Sequence, residues 1–560
     1  MVRRKDDGVA LRRILRRTPW AIRRRIARAA VRRILPRIAP ERRLRVARAL
    51  VPMEPGRIRR LTAHVVTTTS PAQVRRDNLH LVTGALDRAG VDWFRLPDPS
   101  PGRTAVAVRE SDKDLVTRLL AGIARGDRGM IRRGGPNGLV LAVCRPVTDP
   151  TGSLVLGPEH ACEVEFWRAD GQWLVAPRRN PVADRIPIGE PVVAAPEPVF
   201  GAFCAPGDTT AYRTRQVFAG VAPDRIGFPI DVVYTWVDGG DPDWRRRKEL
   251  ALAGNPWVRE VHRQAANDSR WVSRDELRFS MRSLHAFAPW VRHVYLVTDG
   301  QVPAWLDLDH PRLTLVGHEE IFGDTGALPT FNSQAIESRL HRIPGLAEHF
   351  LYFNDDVLLA RPVTPDLFFT AGGLTRFFPS PSLVDPAPRG PGDRPADAAA
   401  KNNRRLIEET FGRVLTRKMM HTPHPARRSV LAEIESRFAE QVRGTAEHRF
   451  RHPDDVSVLS SLQQYYAYLT GRAVPGAIRH RYADLADPST PLKLATLLHD
   501  RDVDTLCLND VDSPDTAPGS LLAEFLPAFL PFPSPFELPG PPPDPTPRRL
   551  ITTTNTRRFP

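Results

Sequence analysis

The feature that most constrains the fold is a series of short apolar runs, each followed directly by acidic or amide residues. Three such runs are "IDVVYTWVD" at 230–238, "HVYLVTDG" at 293–300 and "HFLYFNDDVLL" at 349–359. Their β-branched and aromatic residues predict strands that are buried on both faces. Between them, apolar residues recur with helical spacing, as at Leu277, Met281 and Leu284. The pattern therefore indicates an α/β fold with an open, mostly parallel sheet, in which ligands bind at the carboxyl ends of the strands.

The composition along the chain divides it into four segments. Residues 1–55 form a basic amphipathic leader, and residues 60–225 contain strand-like and helical runs that predict a small α/β accessory domain. Residues 228–515 form the main, Rossmann-like domain with helical insertions. Within it, the Pro/Gly-rich stretch 380–400 is expected to be a flexible loop. Residues 516–560 are rich in proline and are expected to form an extended, mobile tail.

The net charge of +16 is concentrated in the leader. Residues 1–50 contain 18 Lys or Arg against three acidic residues, so the remainder of the chain is nearly neutral. Alternation of arginine with apolar residues over 8–50 is typical of a helix lying on an anionic membrane surface. A solvated basic tail explains the same pattern equally well. Nucleic-acid binding is not expected, because the rest of the chain contains no recognisable nucleic-acid module.

The sequence contains no apolar stretch long enough for a transmembrane helix and no secretory signal, because arginines interrupt the apolar residues of the N-terminus. We therefore expect a cytoplasmic protein, with peripheral contact at the inner membrane face as the role of the leader. The four cysteines lack the close spacing of metal ligands and are expected to be reduced thiols.

Acidic residues are clustered where the predicted strands end. Asp231, Asp238, Asp241 and Asp243 form the cluster of the first block, Asp299 follows the second strand, and the pair at 355–356 interrupts the third. Carboxylates in such a turn can hold Mg²⁺ or Mn²⁺ against a diphosphate, because hard cations prefer oxygen ligands. The alternative is that these aspartates cap helices or form turns. The apolar run directly before the pair favours a metal role.

A second group of candidate residues is basic and rich in histidine. The segment "RKMMHTPHPARR" at 417–428 includes His421 and His424, and "HRFRHPDD" at 448–455 includes Arg451. Arginine binds phosphate through two parallel hydrogen bonds, and histidine can transfer a proton near neutral pH. A solvated cationic helix face is the alternative for either segment alone. The two histidines also suggest a metal pair, but no third ligand is identifiable. The local chemistry thus indicates a metal-dependent enzyme that acts on a phosphorylated or nucleotide substrate.

Four blocks of the sequence resemble the Stealth family. They are "IDVVYTWVDGGDPDW" at 230–244, 274–306 together with 328–363, 422–474, and "CLNDVD" at 507–512. The blocks occur in the family order, and within the family the chain looks closest to actinobacterial exopolysaccharide phosphotransferases. The resemblance implies a phosphotransferase that moves a hexose 1-phosphate from a nucleotide sugar to an acceptor hydroxyl of a glycan, with Mg²⁺ or Mn²⁺. The product would be a phosphodiester in an exopolysaccharide or capsule-like glycan.

The resemblance also implies roles for individual residues. Asp355 and Asp356 match the acidic pair associated with the metal. Catalytic roles are implied for Asp231, Glu337, His424 and Arg451, and substrate contacts are expected from Trp236, Arg278, Arg282, Asn332 and Asn509. Either Glu337 or His424 would accept the proton of the acceptor. Gln334 departs from the family pattern, since relatives often carry histidine or proline there, and this difference could alter the selectivity for the sugar or the acceptor.

Two other functions are compatible with the sequence. A metal-dependent glycosyltransferase also uses a nucleotide sugar, but it breaks the bond on the other side of the anomeric oxygen. A non-catalytic scaffold at the membrane surface would use the leader and no active site.

Overall fold

A computed structural model describes residues 44, 59–126, 129–254, 271, 273–509, 518–540 and 550–555. The predicted leader therefore lies outside the described residues, except for Leu44. The side chain of Leu44 is 1% exposed and belongs to the largest apolar cluster of the protein. Within the described residues, no helix combines the length and the apolar character needed to cross a membrane.

Within residues 59–126 and 129–226, the N-terminal part of the chain contains twelve strands and three α-helices. The strands are β1 (Arg59–Val65), β2 (Trp93–Ser100), β3 (Arg103–Arg109), β4 (Met130–Gly134), β5 (Val140–Cys144), β6 (Val147–Thr148), β7 (Val155–Leu156), β8 (Cys162–Asp170), β9 (Trp173–Val175), β10 (Arg185–Pro187), β11 (Val192–Pro196) and β12 (Ala211–Arg215). The helices are α1 (Pro71–Arg88), α2 (Lys113–Gly126) and α3 (Glu197–Phe200). The largest sheet has the order β10-β9-β8-β3-β2, with β4 and β5 attached at β8.

The C-terminal part contains the elements that form the site. Its strands are β13 (Ile230–Thr235), β14 (Val294–Thr298), β15 (Leu313–Gly317), β16 (His349–Asn354), β17 (Val357–Leu359), β18 (Thr375–Phe377), β19 (Pro379–Leu383), β20 (Arg417–Met419), β21 (His424–Arg427), β22 (Ala473–Pro475), β23 (His480–Asp484), β24 (Thr505–Asn509) and β25 (Leu550–Asn555). Its helices are α4 (Pro242–Ala253), α5 (Glu276–Phe287), α6 (His318–Phe322), α7 (Ser333–Glu337), α8 (Pro395–Phe411), α9 (Arg428–Arg437), α10 (Ala439–Glu447), α11 (Gln463–Leu469), α12 (Thr490–Asp500) and α13 (Pro518–Phe529).

The central sheet has the strand order β15-β14-β13-β16-β21. The first four strands are parallel, and β21 is antiparallel to β16 at one edge. Val232 and Tyr234 point into one apolar cluster, whereas Val233 points into the cluster on the opposite face. Burial on both faces explains why these strands are continuous apolar runs in the sequence. The prediction of an α/β fold with a mostly parallel open sheet is confirmed.

A second, three-stranded sheet lies next to the carboxyl end of β16. Its order is β17-β24-β23, and β17 follows β16 after a turn formed by Asp355 and Asp356. The backbone NH of Leu508, in β24, donates a hydrogen bond of 3.0 Å to the carbonyl oxygen of Asp356. The acidic turn is therefore held between the two sheets, at the edge where ligands of parallel sheets bind.

The C-terminal segment differs from the predicted extended tail. Leu522, Phe525 and Phe529 of α13 are buried in the largest apolar cluster, together with Phe536. Residues 550–555 form β25, which pairs antiparallel with β1. The tail prediction was wrong for residues 518–540, because the apolar residues between the prolines pack against α5, α12 and the sheet.

The stretch 380–400 also contains regular structure. Strand β19 extends to Leu383, and α8 begins at Pro395. The ammonium group of Lys401, in α8, pairs with Asp385 and with Asp393 at 2.9 Å each. These two ion pairs fasten the connecting residues to the helix, so the expectation of a flexible loop is corrected to a short ordered connection.

Candidate active site

A cleft of about 520 Å³ lies at the carboxyl end of β16, between the two sheets and the helices α7 and α8. Its walls bring together polar residues that are far apart in the sequence. They include Arg274, Glu276, Gln334, Glu337, Asp355, Asp356, Arg417, His421, His424, Arg451, Ser460, Tyr482 and Asn509. A volume in this range suits a small-molecule ligand. Glu276, Asp355 and Asp356 lie near one another among these residues, and we call the part of the cleft that they line the acidic wall.

Asp356 is the most connected residue of the acidic wall. Its Oδ2 accepts hydrogen bonds from Asn509 Nδ2 at 3.2 Å and from Cys507 Sγ at 3.4 Å. His421 approaches from the other side, with Nε2 at 3.8 Å from Oδ1 of Asp356. Burial raises the pKa of the Cys507 thiol well above its usual value, and the charge of Asp356 adds to this effect. Cys507 is therefore a neutral donor to Asp356 in this arrangement.

Two neighbouring carboxyl groups titrate abnormally. Burial raises the pKa of Asp355 well above its usual value, and the charges of Asp356 and Glu276 raise it further. Burial also raises the pKa of Glu276 to about 7. Glu276 begins α5, and its carboxylate accepts a hydrogen bond of 2.6 Å from the backbone NH of Arg274. Three carboxyl groups thus share a small region in which a cation would relieve their repulsion.

The residues of this wall fit a divalent cation. Asp356 Oδ1 is buried and has no hydrogen-bond partner among the described residues, so one carboxylate oxygen is available as a ligand. Ligand atoms of Asp356, His421 and Cys507 lie within 4.8 Å of one another. Asn509 could contribute an amide oxygen. Oxygen ligands from aspartate and asparagine suit Mg²⁺ or Mn²⁺, and imidazole suits several divalent metals.

Glu337 lies at the end of α7 and is 5% exposed. Burial raises its pKa, which a hydrogen bond from Ser460 and the charge of Arg451 partly counteract. Ser460 donates to Glu337 Oε2 from both its hydroxyl, at 2.6 Å, and its backbone NH, at 3.3 Å. Ser460 belongs to a π-turn at Val458–Leu462, a distortion that is frequent at functional sites.

A buried pair of polar residues connects α7 to the loop that carries Arg451. Asn332 caps α7 through a hydrogen bond from the backbone NH of Gln334, and its Nδ2 donates to Asp455 Oδ2 at 2.8 Å. The same Asp455 oxygen accepts from the backbone NH of His452. Arg451 in turn donates from Nη2 to Ser333 Oγ at 2.7 Å. Asn332, which was predicted to contact substrate, is fully buried and does not line the cleft. Its hydrogen bonds position α7 and Asp455 instead.

The two histidines of the 417–428 segment occupy different environments. His424 is 5% exposed, and burial lowers its pKa to about 3, so its imidazole is neutral at physiological pH. His421 has a side chain that is 31% exposed and lies beside Asp356 and Cys507. The sequence did not reveal a further ligand for a metal site that contains histidine. The fold supplies two candidates next to His421, namely Asp356 of the acidic turn and Cys507 of β24.

Asp231 lies at the opposite end of its strand from the cleft. It is at the amino end of β13, is 0% exposed, and accepts two hydrogen bonds from Arg292 and one from the backbone NH of Ala347. The predicted catalytic role is corrected on this geometry. Parallel strands carry their ligands at the carboxyl end, whereas Asp231 anchors the two segments that enter β14 and β16.

Three predicted substrate-binding residues also lie away from the cleft. Arg282 donates from Nε and Nη2 to the two oxygens of Glu537, and Arg278 Nε donates to Glu537 at 2.7 Å. Both arginines therefore hold the C-terminal segment against α5. Trp236 follows β13 but packs against the largest apolar cluster. The sequence did not show that residues beyond 516 fold back and supply the partner of these arginines.

Several residues that line the cleft or contact its lining residues were not singled out from the sequence. Glu276 and Arg274 stand at the start of a predicted helix, where the letters "RDEL" resemble an ordinary helix start. Ser460 and Cys507 are chemically inconspicuous until the fold brings them to Glu337 and Asp356. The polar residues that immediately precede an apolar helix were the one available signal for Glu276.

Comparisons with known proteins agree with this architecture. Four Stealth protein conserved regions match the chain: region 1 at 228–256, region 2 at 270–377, region 3 at 420–468 and region 4 at 495–548. An exopolysaccharide phosphotransferase of Streptomyces coelicolor is 49% identical over 470 residues, which cover 80% of this chain and 79% of the relative. The exopolysaccharide phosphotransferase CpsY of Mycobacterium tuberculosis is 36% identical over 376 residues, covering 67% and 68%.

Among solved structures, a galactosyltransferase LgtC in complex with donor and acceptor sugar analogues aligns with a TM-score of 0.29 and 12% identity. The alignment covers 54% of this chain and 95% of that chain. The α/β fold, the cleft at the strand ends and the named relatives define an enzyme of the transferase class. The chain belongs to the Stealth family, as its sequence blocks predicted.

Proposed function

We propose that the chain transfers a hexose 1-phosphate from a nucleotide sugar to a hydroxyl group of a glycan acceptor. The product is a phosphodiester in an exopolysaccharide or capsule-like glycan. One observation carries the proposal. Glu337, Asp356, His424, Arg451 and Asn509 come from distant parts of the sequence and line a single cleft. The names of the Streptomyces and Mycobacterium relatives support the same class of reaction.

In this reaction the acceptor oxygen attacks the phosphorus nearest to the sugar. A new bond forms between that oxygen and the phosphorus, the bond to the bridging oxygen breaks, and nucleoside monophosphate leaves with the bonding electrons. Asp356, with Asn509 and Asp355, would hold Mg²⁺ or Mn²⁺, which would supply charge neutralisation at the diphosphate. Arg451, in the same cleft, neutralises negative charge on the phosphate oxygens.

We assign the proton of the acceptor hydroxyl to Glu337. Burial raises the pKa of this carboxyl group, so its anion is a stronger base than an ordinary carboxylate. His424 is less suited to the role, because burial lowers the pKa of its imidazole to about 3. His421 lies beside Asp356, where it suits the metal or the leaving group better than the acceptor.

Incubation of the purified protein with a panel of nucleotide sugars and Mn²⁺ tests this proposal. We expect nucleoside monophosphate to appear when the correct donor is present, and to be lost in the Glu337→Gln variant. Release of nucleoside diphosphate instead would support the alternative of an ordinary glycosyltransferase. No release of either nucleotide from any donor would leave the scaffold alternative.

We further propose that residues 8–50 bring the enzyme to the cytoplasmic membrane face. The support is the charge distribution, since 18 Lys or Arg lie within the first 50 residues among apolar side chains. Flotation with vesicles containing anionic lipid should recover the full chain and not a chain that lacks residues 1–43. Equal recovery of both chains would contradict the proposal. This truncation retains Leu44, which is buried in the main apolar cluster.

A further inference from the structure

The side chain of Gln334 lies in the cleft wall formed by α7 and lacks the hydrogen bonds that a buried polar group normally makes. It is 5% exposed, and its Oε1 atom is buried without a hydrogen-bond partner among the described residues. No side-chain hydrogen bond of Gln334 occurs in that part of the chain either. A buried acceptor without a partner is unfavourable for stability, so such a group in a folded protein requires an explanation.

Two other buried glutamines provide a comparison. The Oε1 atoms of Gln463 and Gln464 also lack a partner among the described residues, but the Nε2 group of each donates a hydrogen bond to the carbonyl oxygen of Pro425, so one end of each side chain is fixed by the protein. Neither residue lines the cleft, whereas Gln334 does. The unsatisfied amide of Gln334 therefore stands where a ligand can reach it.

The backbone around Gln334 is fixed before any ligand binds. Its NH donates to Asn332 Oδ1 at 3.1 Å, and its carbonyl oxygen accepts from the NH of Ser338 at 3.1 Å. Gln334 precedes Glu337 by three residues in α7, a spacing that places both side chains on one face of a helix. The amide is thus presented next to the proposed base on a rigid element.

The chemistry of the amide restricts its ligand. The free Oε1 requires a hydrogen-bond donor, and phosphate oxygens at neutral pH cannot supply one because they only accept, so phosphate could pair with the Nε2 group alone. A sugar hydroxyl donates and also accepts, so it can satisfy both ends of the amide. Glu337 faces the reacting end of the substrate in our proposal, and the hexose is the hydroxyl-bearing group attached to the reacting phosphorus.

We propose that Gln334 is a specificity-determining residue that binds a ring hydroxyl of the transferred hexose. This inference rests on the proposed function of the cleft. A site built to bind a hydroxyl group rejects substrates that lack it, because its own polar atom is then left unpaired. In the ligand-free protein the oxygen stays unpaired, which lowers the stability of the fold but provides the selectivity.

The test compares the wild type with Gln334→Met, which keeps the length of the side chain and removes the amide. Both proteins receive the nucleotide hexose that the wild type uses and its 2-, 3-, 4- and 6-deoxy analogues, and nucleoside monophosphate release is measured without acceptor and with acceptor. We expect the wild type to lose about 100-fold or more in kcat/KM with one deoxy analogue. In Gln334→Met, the intact donor and that analogue should differ by less than about threefold.

The proposal is overturned if Gln334→Met discriminates against every deoxy donor as the wild type does, or if its defect appears only when the acceptor is varied. Thermal unfolding provides an independent readout. Without ligand, Gln334→Met should unfold at the same or a higher temperature than the wild type, because a buried unpaired oxygen is removed. Gln463→Met also removes a buried unpaired oxygen, but it loses the hydrogen bond to Pro425 as well, so it should unfold at a lower temperature than Gln334→Met.

A lower unfolding temperature of Gln334→Met would show that the amide has a structural role, and would also overturn the proposal. Failure of the proposed function is recognised separately, since the wild type would then release no nucleoside monophosphate from any donor. In that case, the rise in unfolding temperature caused by nucleotide sugar and Mn²⁺ shows whether Gln334 contributes to binding of the donor. A thermal shift of equal size in the wild type and in Gln334→Met would contradict recognition by Gln334.

Discussion

Asp356 receives contacts from two separate segments of the chain, β24 and the segment that carries His421. Asn509 and Cys507 donate to one of its oxygens, His421 lies beside the other, and β24 bonds to its backbone. Such convergence on one carboxylate, with one buried oxygen left without a partner among the described residues, is typical of a metal ligand with a supporting shell.

We predict that Asp356→Asn lowers kcat by about 10²- to 10³-fold, because the neutral amide holds the metal poorly and transition-state charge is left unneutralised. The unfolding temperature should change little, since asparagine retains an acceptor for Asn509 and Cys507. The measurement is steady-state monophosphate release alongside a thermal melt. Asp366→Asn, at an exposed position, is the matched control. Near-normal turnover of Asp356→Asn would remove the metal assignment.

Ser460 offers a test of Glu337 as the base. Its hydroxyl donates to the carboxylate and so stabilises the anion. In Ser460→Ala, the pKa of Glu337 should therefore rise further. Since activity requires the deprotonated base, the acidic limb of the pH–rate profile should move to higher pH, by about one unit.

The control for this prediction is Ser382→Ala, which removes an exposed hydroxyl from β19. It should leave the pH profile unchanged. If Ser460→Ala lowers kcat uniformly at all pH values, Glu337 does not titrate in the reaction, and its assignment as the base is wrong.

At the scale of elements, one buried carboxylate adds to the apolar packing that attaches the C-terminal segment to the main domain. Glu537 is 3% exposed at its side chain and accepts from Arg278 and from Arg282. Burial acts to raise its pKa, but the hydrogen bonds from Arg282 and from the Ser534 backbone outweigh burial and lower it. A lowered pKa in the folded state means that this contribution to stability is present above the unfolded pKa and is lost as pH falls through the folded pKa.

Glu537→Gln should destabilise the protein by about 3–5 kcal/mol at neutral pH, because two arginines lose their buried partner. The difference from the wild type should shrink under acidic conditions, where Glu537 of the wild type becomes protonated. Chemical denaturation at several pH values measures both effects, and Glu524→Gln serves as the control for a less buried glutamate of the same segment. An unchanged free energy of unfolding would show that the segment is not held by this carboxylate.

The strands and the acidic turn could be predicted from the sequence, because burial on both faces leaves a continuous apolar run that ends where the polar turn begins. The environments of Asp231 and Asn332 could not be predicted from the sequence. Both are polar residues at the ends of elements, and only the fold shows that Asp231 faces Arg292 and that Asn332 faces Asp455. The sequence pattern indicates that a residue stands at an end of a strand, but not which buried partner it has.

At the scale of the whole molecule, the C-terminal segment packs against the N-terminal part of the chain. Phe532, from the C-terminal segment, packs with Val74 and Leu156 of the N-terminal part, and β25 pairs with β1. The proline content of this segment predicted an extended tail, because composition does not show which apolar residues find a partner. Family region 4 extends to residue 548, in agreement with a segment that belongs to the folded protein.

We predict that a chain ending at residue 515 loses the native fold. Removal of the C-terminal segment would expose the apolar surface that Phe525, Phe529 and Phe536 cover. The lost burial corresponds to roughly several kcal/mol of the free energy of unfolding. Gel filtration and a thermal melt of the truncated chain should show aggregation or no cooperative transition. A soluble truncated chain with a normal melt would show that the segment is dispensable.

The central claim is that the enzyme breaks the diphosphate at the phosphorus nearest to the sugar, and the position of bond cleavage tests it most directly. A nucleotide sugar carrying a heavy-oxygen label between the anomeric carbon and the phosphorus is incubated with the protein, Mn²⁺ and acceptor, and the products are examined by phosphorus NMR. We predict a phosphodiester product that retains the label, together with unlabelled nucleoside monophosphate. Labelled nucleoside diphosphate and a product without phosphorus would contradict it.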